Sequence, residues 1–313
     1  MVPSQSIGNR QQSHAMKTAI LIMIFLAAGQ LYAQPAAVYS NADREIFREY
    51  LTTIEPYRNA PGDTILEKSA LFFLNKPYLA HTLEGGDREQ LTVNLRAFDC
   101  TTFVETVIAL TLTAISDAPS FETFMKELRS IRYRKGEIDG YASRLHYATD
   151  WLQENEQRGL LRNLSPSLGG VKEAKKLSFM SSHRDAYGRL KNDDLMLQLI
   201  AAREEMINQQ GGFDYLPKEM INEVAHLIPH MSVILFTTST EGLDVTHMGF
   251  AFRKGEKLLF LHASSAGERV MIDRQTLPEY TYKQPYCTGI IVAEIDPLSL
   301  RRPIIPLRCV QEY

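Results

Sequence analysis

The hydrophobic pattern changes period part-way along the chain, and this change constrains the fold more than any other feature. In the N-terminal half apolar residues recur at helical spacing. Asn41 caps a helix expected over 43–51, and Asp63 starts a second with Ile65, Leu66, Ala70, Leu71 and Leu74 on its buried stripe. Residues 91–98 read as extended. Helices follow from Cys100, over 121–128 and over 149–156, with a short strand at 131–134. From Met231 onward the residues alternate as in strands, over 233–237, 245–252, 258–264 and 288–294. Helices first and an antiparallel meander afterwards is the order of an α+β domain. Between the halves, 165–212 is polar, has Gly169-Gly170 and Gly211-Gly212 at its ends, and carries a helix over about 193–208. It reads as an insertion.

Composition narrows the class. The 313 residues are 44% hydrophobic and 23% charged, enough to bury a core. A net charge of −3 without Lys/Arg runs excludes nucleic acid as the main partner. After Met16-Lys17 an apolar stretch leads to Gly29-Gln30-Leu31-Tyr32-Ala33, the layout of a secretory leader. The expectation is a signal peptide over 1–33, with Met16 as its start and cleavage after Ala33, then a single catalytic domain over 34–313. The apolar run is shorter than the roughly 20 residues a membrane span needs. No cysteine follows the cut, which argues against a lipid anchor. Cys287 and Cys309 can pair or stay as two buried thiols, because sequence fixes no geometry.

Asp99-Cys100 opens the most apolar helix of the chain, Thr101-Thr102-Phe103-Val104-Glu105-Thr106-Val107-Ile108-Ala109-Leu110. A thiol at a helix N-terminus is expected to have a lowered pKa. His247 and His262 lie on consecutive expected strands separated by Arg253-Lys254-Gly255-Glu256-Lys257. With a four-residue loop, Phe252 faces Lys257 and His247 stands directly opposite His262 on one face. A one-residue slip would separate them. Small residues beside His247 leave room for the cysteine helix. Nucleophile, base and orienting group are then Cys100, His247 and His262. No CxxC or HExxH spacing points to zinc, so no metal and no cofactor is expected. Glu105, one turn into the helix, reads as solvated or capping.

Several of these segments resemble the NlpC-type cell-wall cysteine hydrolases: Phe73-Leu74-Asn75-Lys76-Pro77-Tyr78, Asp99-Cys100, Thr246-His247-Met248-Gly249 and His262-Ala263-Ser264-Ser265. Three longer ones resemble the N-acetylmuramoyl-L-alanine amidase-like branch: residues 92–105, Tyr141-Ala142-Ser143-Arg144-Leu145-His146-Tyr147 with Asp150-Trp151, and Gly242-Leu243-Asp244-Val245-Thr246-His247. The likeness implies a papain-like core, with the cysteine helix packed on a small antiparallel sheet. It implies a periplasmic amidase of a Gram-negative bacterium that cuts between N-acetylmuramic acid and L-alanine. Its partners would be peptidoglycan-derived muropeptides, notably anhydromuramyl ones carrying N-acetylglucosamine. It makes Cys100 the nucleophile, His247 the base, His262 the third member and Tyr78 an oxyanion donor. The chain departs from these families at Pro229-His230-Met231-Ser232, where they often carry Gly-Asp.

Candidates for substrate contact are Asp99, Asn94, Arg96, Ser143, Arg144, His146 and Ser264. Arg144 can hold a carboxylate or carbonyl while Tyr141 and Tyr147 stack on sugar. Alternatively Tyr147 and Trp151 pack one helix face and Arg144 is solvated; Asn94 and Arg96 only pin their loop, and Ser264 ends its strand. Two other activities remain open: a γ-D-glutamyl-diaminopimelate endopeptidase, and a non-catalytic periplasmic glycan-binding protein. An acyltransferase would need an acceptor that the sequence does not indicate.

Overall fold

The computed structural model describes residues 37–295; the expected leader and Cys309 lie outside them. The helices are α1 Asn41–Ile54, α2 Gly62–Leu71, α3 Cys100–Ile115, α4 Phe121–Arg132 and α5 Ala148–Gln157, then α6 Phe179–Ser182, α7 Asp194–Asn208, α8 Ile221–Val224 and α9 Leu277–Lys283. The strands are β1 Leu161–Asn163, β2 Val171–Glu173, β3 Phe213–Pro217 and β4 Val233–Thr238, then β5 Val245–Lys254, β6 Lys257–Ser264, β7 Arg269–Thr276 and β8 Cys287–Ile295. Among the described residues no helix is long and apolar enough to cross a membrane.

The α+β class holds, but the sheet is not small. It has eight strands in the order β2-β3-β8-β4-β5-β6-β7, with β1 also pairing β8, and its ladders are antiparallel. Strand β4 is buried along its whole length. An uninterrupted apolar run such as its Val-Ile-Leu-Phe suits a strand covered on both faces. One face packs on α3, where Phe103 meets Phe250 at 5.8 Å between ring centres. The other carries Ile234, Phe236, Ala251, Phe260 and Leu277 in a second cluster.

Helix α3 is the axis of the first cluster. Thr102 through Ala114 are all buried, as expected for a helix apolar on every side. Glu105 is therefore not solvated. It is buried and ion-paired with buried Arg132 at 2.6 Å, and Arg132 also donates to the Thr92 carbonyl. Helix α4 runs on to Arg132, so the strand expected at 131–134 is reduced to an isolated bridge of Tyr133 with Arg144 before a 3₁₀ turn over Arg134–Gly136. Its last turn carries Arg129 and Arg132, which favour the helical C-terminus. Ser40, not Asn41, caps α1, in a reciprocal box with Asp43.

Segment 165–212 contributes β2 to the sheet and α6 and α7 beside it. Leu177, Met180, Ile200 and Ile207 form a third cluster with Tyr141, Ala142 and Tyr147.

Candidate active site

Asp99 sets the start of α3. Its carboxylate accepts from the Thr102 N–H at 2.8 Å and from the Thr102 hydroxyl at 2.8 Å, while its own N–H donates to that hydroxyl at 3.0 Å. This reciprocal cap places Cys100 in the first turn, where backbone N–H groups have no helical partner. Phe98, fully buried, anchors the approach by packing edge-on against Phe73 and Phe103.

The same anchor positions Tyr78. The Phe98 N–H donates to the Pro77 carbonyl and the Leu79 N–H to the Phe98 carbonyl, while the Tyr78 N–H donates to Glu268 on the far side. Burial first, and then the neighbouring Cys100 and Asp99, raise the Tyr78 phenol above its ordinary range and keep it protonated.

The hairpin of β5 and β6 pairs Phe250 with Leu261 and Lys254 with Lys257, so its loop is the two residues Gly255-Glu256. Gly255 has φ +59°, the left-handed conformation that tight hairpin turns require. The expected four-residue loop is thus corrected by two positions. A shift of two keeps the face. His262 falls across from Gly249, and His247 reaches it diagonally: His247 Nε2 and His262 Nδ1 are 2.7 Å apart. A side chain on Gly249 would collide with the Leu261 carbonyl, the Phe260 ring and the His262 Cβ, at 2.7, 2.7 and 2.8 Å. The room beside His247 therefore admits its neighbouring strand, not α3.

The sulfur of Cys100 lies against the backbone N–H of Met248, the residue after His247. Tyr280 of α9 packs on both histidines, its ring centre 6.4 Å from that of His247 and 5.3 Å from that of His262. It also lies within electrostatic reach of Cys100.

The thiol does not have the lowered pKa expected of a helix start. Burial of its sulfur, followed by the charge of Asp99, pushes it up to about 11, against the stabilising N–H groups of Met248 and Thr101. Burial also lowers the histidines, His247 to about 3, helped by His262, and His262 to about 4. The resting site holds a neutral thiol and two neutral imidazoles.

The remaining candidates have protein partners. Arg144 is buried; it bonds Glu84 at 2.6 Å and the Leu83 carbonyl at 3.1 Å, lies 3.6 Å from Glu89, and sits 4.8 Å from the Tyr141 ring centre. It is not solvated. His146 Nε2 contacts the Tyr141 carbonyl at 2.9 Å, and burial, then Arg144, lowers it to about 3. The Ser143 hydroxyl takes the Asp139 N–H and donates to the Gly140 carbonyl. The Asn94 side chain accepts from the backbones of Arg96 and Ala97, and Arg96 bonds Asp43 at 3.2 Å. The Ser264 hydroxyl accepts from the Gly267 N–H.

Among the described residues no cluster of His, Cys, Asp and Glu suited to a metal is present. A cavity of about 620 Å³ is lined by Ile115, Ile65, Pro229 and His230. It lies at the far end of α3, about 22 Å from Cys100 at 1.5 Å per residue, so volume does not mark the chemistry. Sequence reasoning missed the Glu105–Arg132 pair and Tyr280. An acidic residue inside an all-apolar helix signals the first; Tyr280 had no signal.

Residues 68–290 match the family model for N-acetylmuramoyl-L-alanine amidase-like proteins. The chain belongs to that family. An N-acetylmuramoyl-L-alanine amidase from Bacteroides uniformis is 36% identical, with 74% of this chain and 98% of that one covered at a TM-score of 0.67. A Bacteroides fragilis protein provisionally named a xylanase is 37% identical over 72% of this chain and 99% of that one, with a TM-score of 0.69. A Legionella pneumophila protein shares the fold, at 23% identity, 82% and 95% coverage and a TM-score of 0.61. No curated protein matches the chain. Membership of the amidase-like family makes this an N-acetylmuramoyl-L-alanine amidase-like enzyme. All the groups gathered at the head of α3 fall within the matched span.

Proposed function

We propose that the chain is a periplasmic cysteine amidase. It hydrolyses the amide between the lactyl group of N-acetylmuramic acid, in its anhydro form, and L-alanine of released peptidoglycan fragments. The observation that carries this reading is the 2.7 Å contact between His247 and His262, one residue from the N–H that meets the Cys100 sulfur. An NlpC-type, papain-like origin accounts for a cysteine at a helix start facing paired strands. Delivery by the leader over 1–33 accounts for the compartment.

Because His262 occupies Nε2 of His247, Nδ1 is the nitrogen left to take the thiol proton. With the thiol and imidazoles neutral at rest, transfer accompanies attack rather than preceding it. Sulfur adds to the carbonyl carbon, and the oxyanion is held by the Cys100 N–H and the Tyr78 hydroxyl. Imidazolium His247 gives its proton to the leaving nitrogen of L-alanine, and a thioester remains on Cys100. Water, deprotonated by His247, releases the muramyl acid and restores the thiol. His262 steadies the imidazolium through its Nδ1, as the orienting group does in other triads. Substrate contact by Asn94, Arg96, Asp99, Ser143, Arg144, His146 and Ser264 is the outer part of this proposal. For Asp99 and Arg144 it requires sharing bonds already made inside the protein.

A glycoside hydrolase would need two carboxylates across the scissile bond. The carboxylate beside Cys100 is Asp99, which is committed to Thr102. Digestion of a defined anhydro-muropeptide tests the proposal. Free saccharide and an intact stem peptide, identified by mass, are expected. A muramyl-L-Ala-D-Glu fragment would move the cut to the γ-D-glutamyl bond, and no product at all would favour a glycan-binding protein.

A further inference from the structure

His262 is 1% exposed, and its second ring nitrogen, Nε2, is buried with no hydrogen-bond partner. A polar atom so placed is costly unless something in its surroundings suits it. Those surroundings are aromatic. The Phe260 ring covers one face of the imidazole, with centres 4.4 Å apart and planes at 31°. The Tyr280 ring crosses it at 5.3 Å and 73°. Phe236 and Phe260 brace Tyr280 at 5.5 and 5.1 Å. Helix α9 holds Tyr280 in place through a reciprocal cap between Thr276 and Glu279, Pro278 in its first turn and fully buried Leu277.

We infer that Tyr280 is a positioning residue: its ring fixes the tautomer of the His247–His262 pair, and so leaves on His247 the lone pair that can receive the Cys100 proton. An aromatic face carries negative charge density. It accepts an N–H and repels a nitrogen lone pair. The 73° crossing is assigned the arrangement in which the Nε2 edge of His262 meets the Tyr280 face; that face then favours hydrogen on Nε2. A neutral imidazole carries one such hydrogen, so His262 Nδ1 must accept. The hydrogen in the 2.7 Å contact then belongs to His247 Nε2, and His247 Nδ1 is bare. The opposite tautomer would set a lone pair against the aromatic rings and put hydrogen on the nitrogen that must act as base. Asp273 on β7, Cys100 on α3 and Cys287 on β8 face the Tyr280 hydroxyl. Burial first, and then these groups, push it up to about 12, so the phenol brings no charge to the pair.

This inference rests on the cysteine mechanism proposed above, but its test does not depend on catalysis. Long-range ¹H–¹⁵N spectra of the full chain at neutral pH should show hydrogen on Nε2 of both histidines. In Tyr280→Leu the His262 signals should move to a mixture of tautomers. Its kcat should fall roughly tenfold or more, with KM within about threefold, because proton transfer rather than binding is affected. Tyr280→Phe should preserve both readouts. Hydrogen on His262 Nδ1 in the native protein would overturn the inference, as would unchanged signals in Tyr280→Leu. A loss in Tyr280→Phe equal to that in Tyr280→Leu would also overturn it, by assigning the effect to the hydroxyl. If Tyr280→Leu does not fold, the native and Tyr280→Phe spectra decide. If the spectra are as expected but Cys100→Ala still turns over, the cysteine mechanism fails and the tautomer assignment stands.

Discussion

The histidine pair beside Cys100 and the glutamate–arginine cluster around Arg144 both bring polar groups into the interior, yet they are satisfied in different ways. His262, Arg144 and Glu89 are buried, and His247 and Glu84 are half-buried. Around Arg144 charges meet opposite charges: Glu84 and Glu89 face the guanidinium, and Tyr133 donates to Glu89 at 2.8 Å. Glu105 and Arg132 repeat the pattern beneath the site. At the head of α3 no such closure exists. The thiol is neutral, both imidazoles are neutral, and one imidazole nitrogen lacks a partner. Paired charges hold backbone segments in place. Neutral groups not locked in ion pairs keep protons and lone pairs that a reaction can move. The contrast separates residues that build the site from residues that can react in it.

Substitution should expose that contrast most sharply at Cys100. Cys100→Ala should lower kcat/KM by about 10⁴ or more, the scale seen when a nucleophile is removed, and leave thermal stability nearly unchanged. A variant that keeps a tenth of its activity would break the contrast. The reverse holds for Glu105→Ala. Removing one partner of a buried ion pair strands the other and should cost about 3–5 kcal/mol of folding stability. Urea unfolding measures it, and a loss below about 1 kcal/mol would mean that the pair behaves as a surface bridge.

A smaller effect separates the regions by pH. His247 binds a proton more weakly folded than unfolded, because burial opposes its charge. Between its ordinary pKa of about 6.5 and its folded value the unfolded chain takes up more protons, so stability falls as pH falls through that window. The penalty at pH 5 is about 2 kcal/mol for this residue. The midpoint for urea unfolding should drop from pH 7 to pH 5, and should drop less in His247→Gln. An equal drop in both proteins would show that the histidine pair is not the acid-labile element.

Much of this architecture was legible in residue spacing. The strands around His247 and His262, the cysteine at a helix start and the shared face of the two histidines all follow from local pattern. The register did not, because the expected loop overlooked the signal of Gly255 for a two-residue turn; the face survived only because the shift was even. Strand β7 was missed, since Arg269, Asp273 and Arg274 interrupt the alternation of an edge strand. The Arg144 cluster was misjudged for a different reason. Its partners Glu84 and Glu89 lie some sixty residues away in sequence, and no periodicity announces a contact at that distance. The raised thiol pKa was also hidden. A helix start favours the thiolate, but how deeply the sulfur is packed is settled by tertiary structure.

The central claim is that the reaction passes through sulfur at the head of α3. Its most direct test is to mix the enzyme with an anhydro-muropeptide, quench in acid within milliseconds and weigh the intact protein. A mass increase equal to the muramyl acyl group, mapped to the peptide containing Cys100 and absent in Cys100→Ala, is the predicted result. Full turnover with no such adduct, and equal turnover by Cys100→Ala, would contradict it.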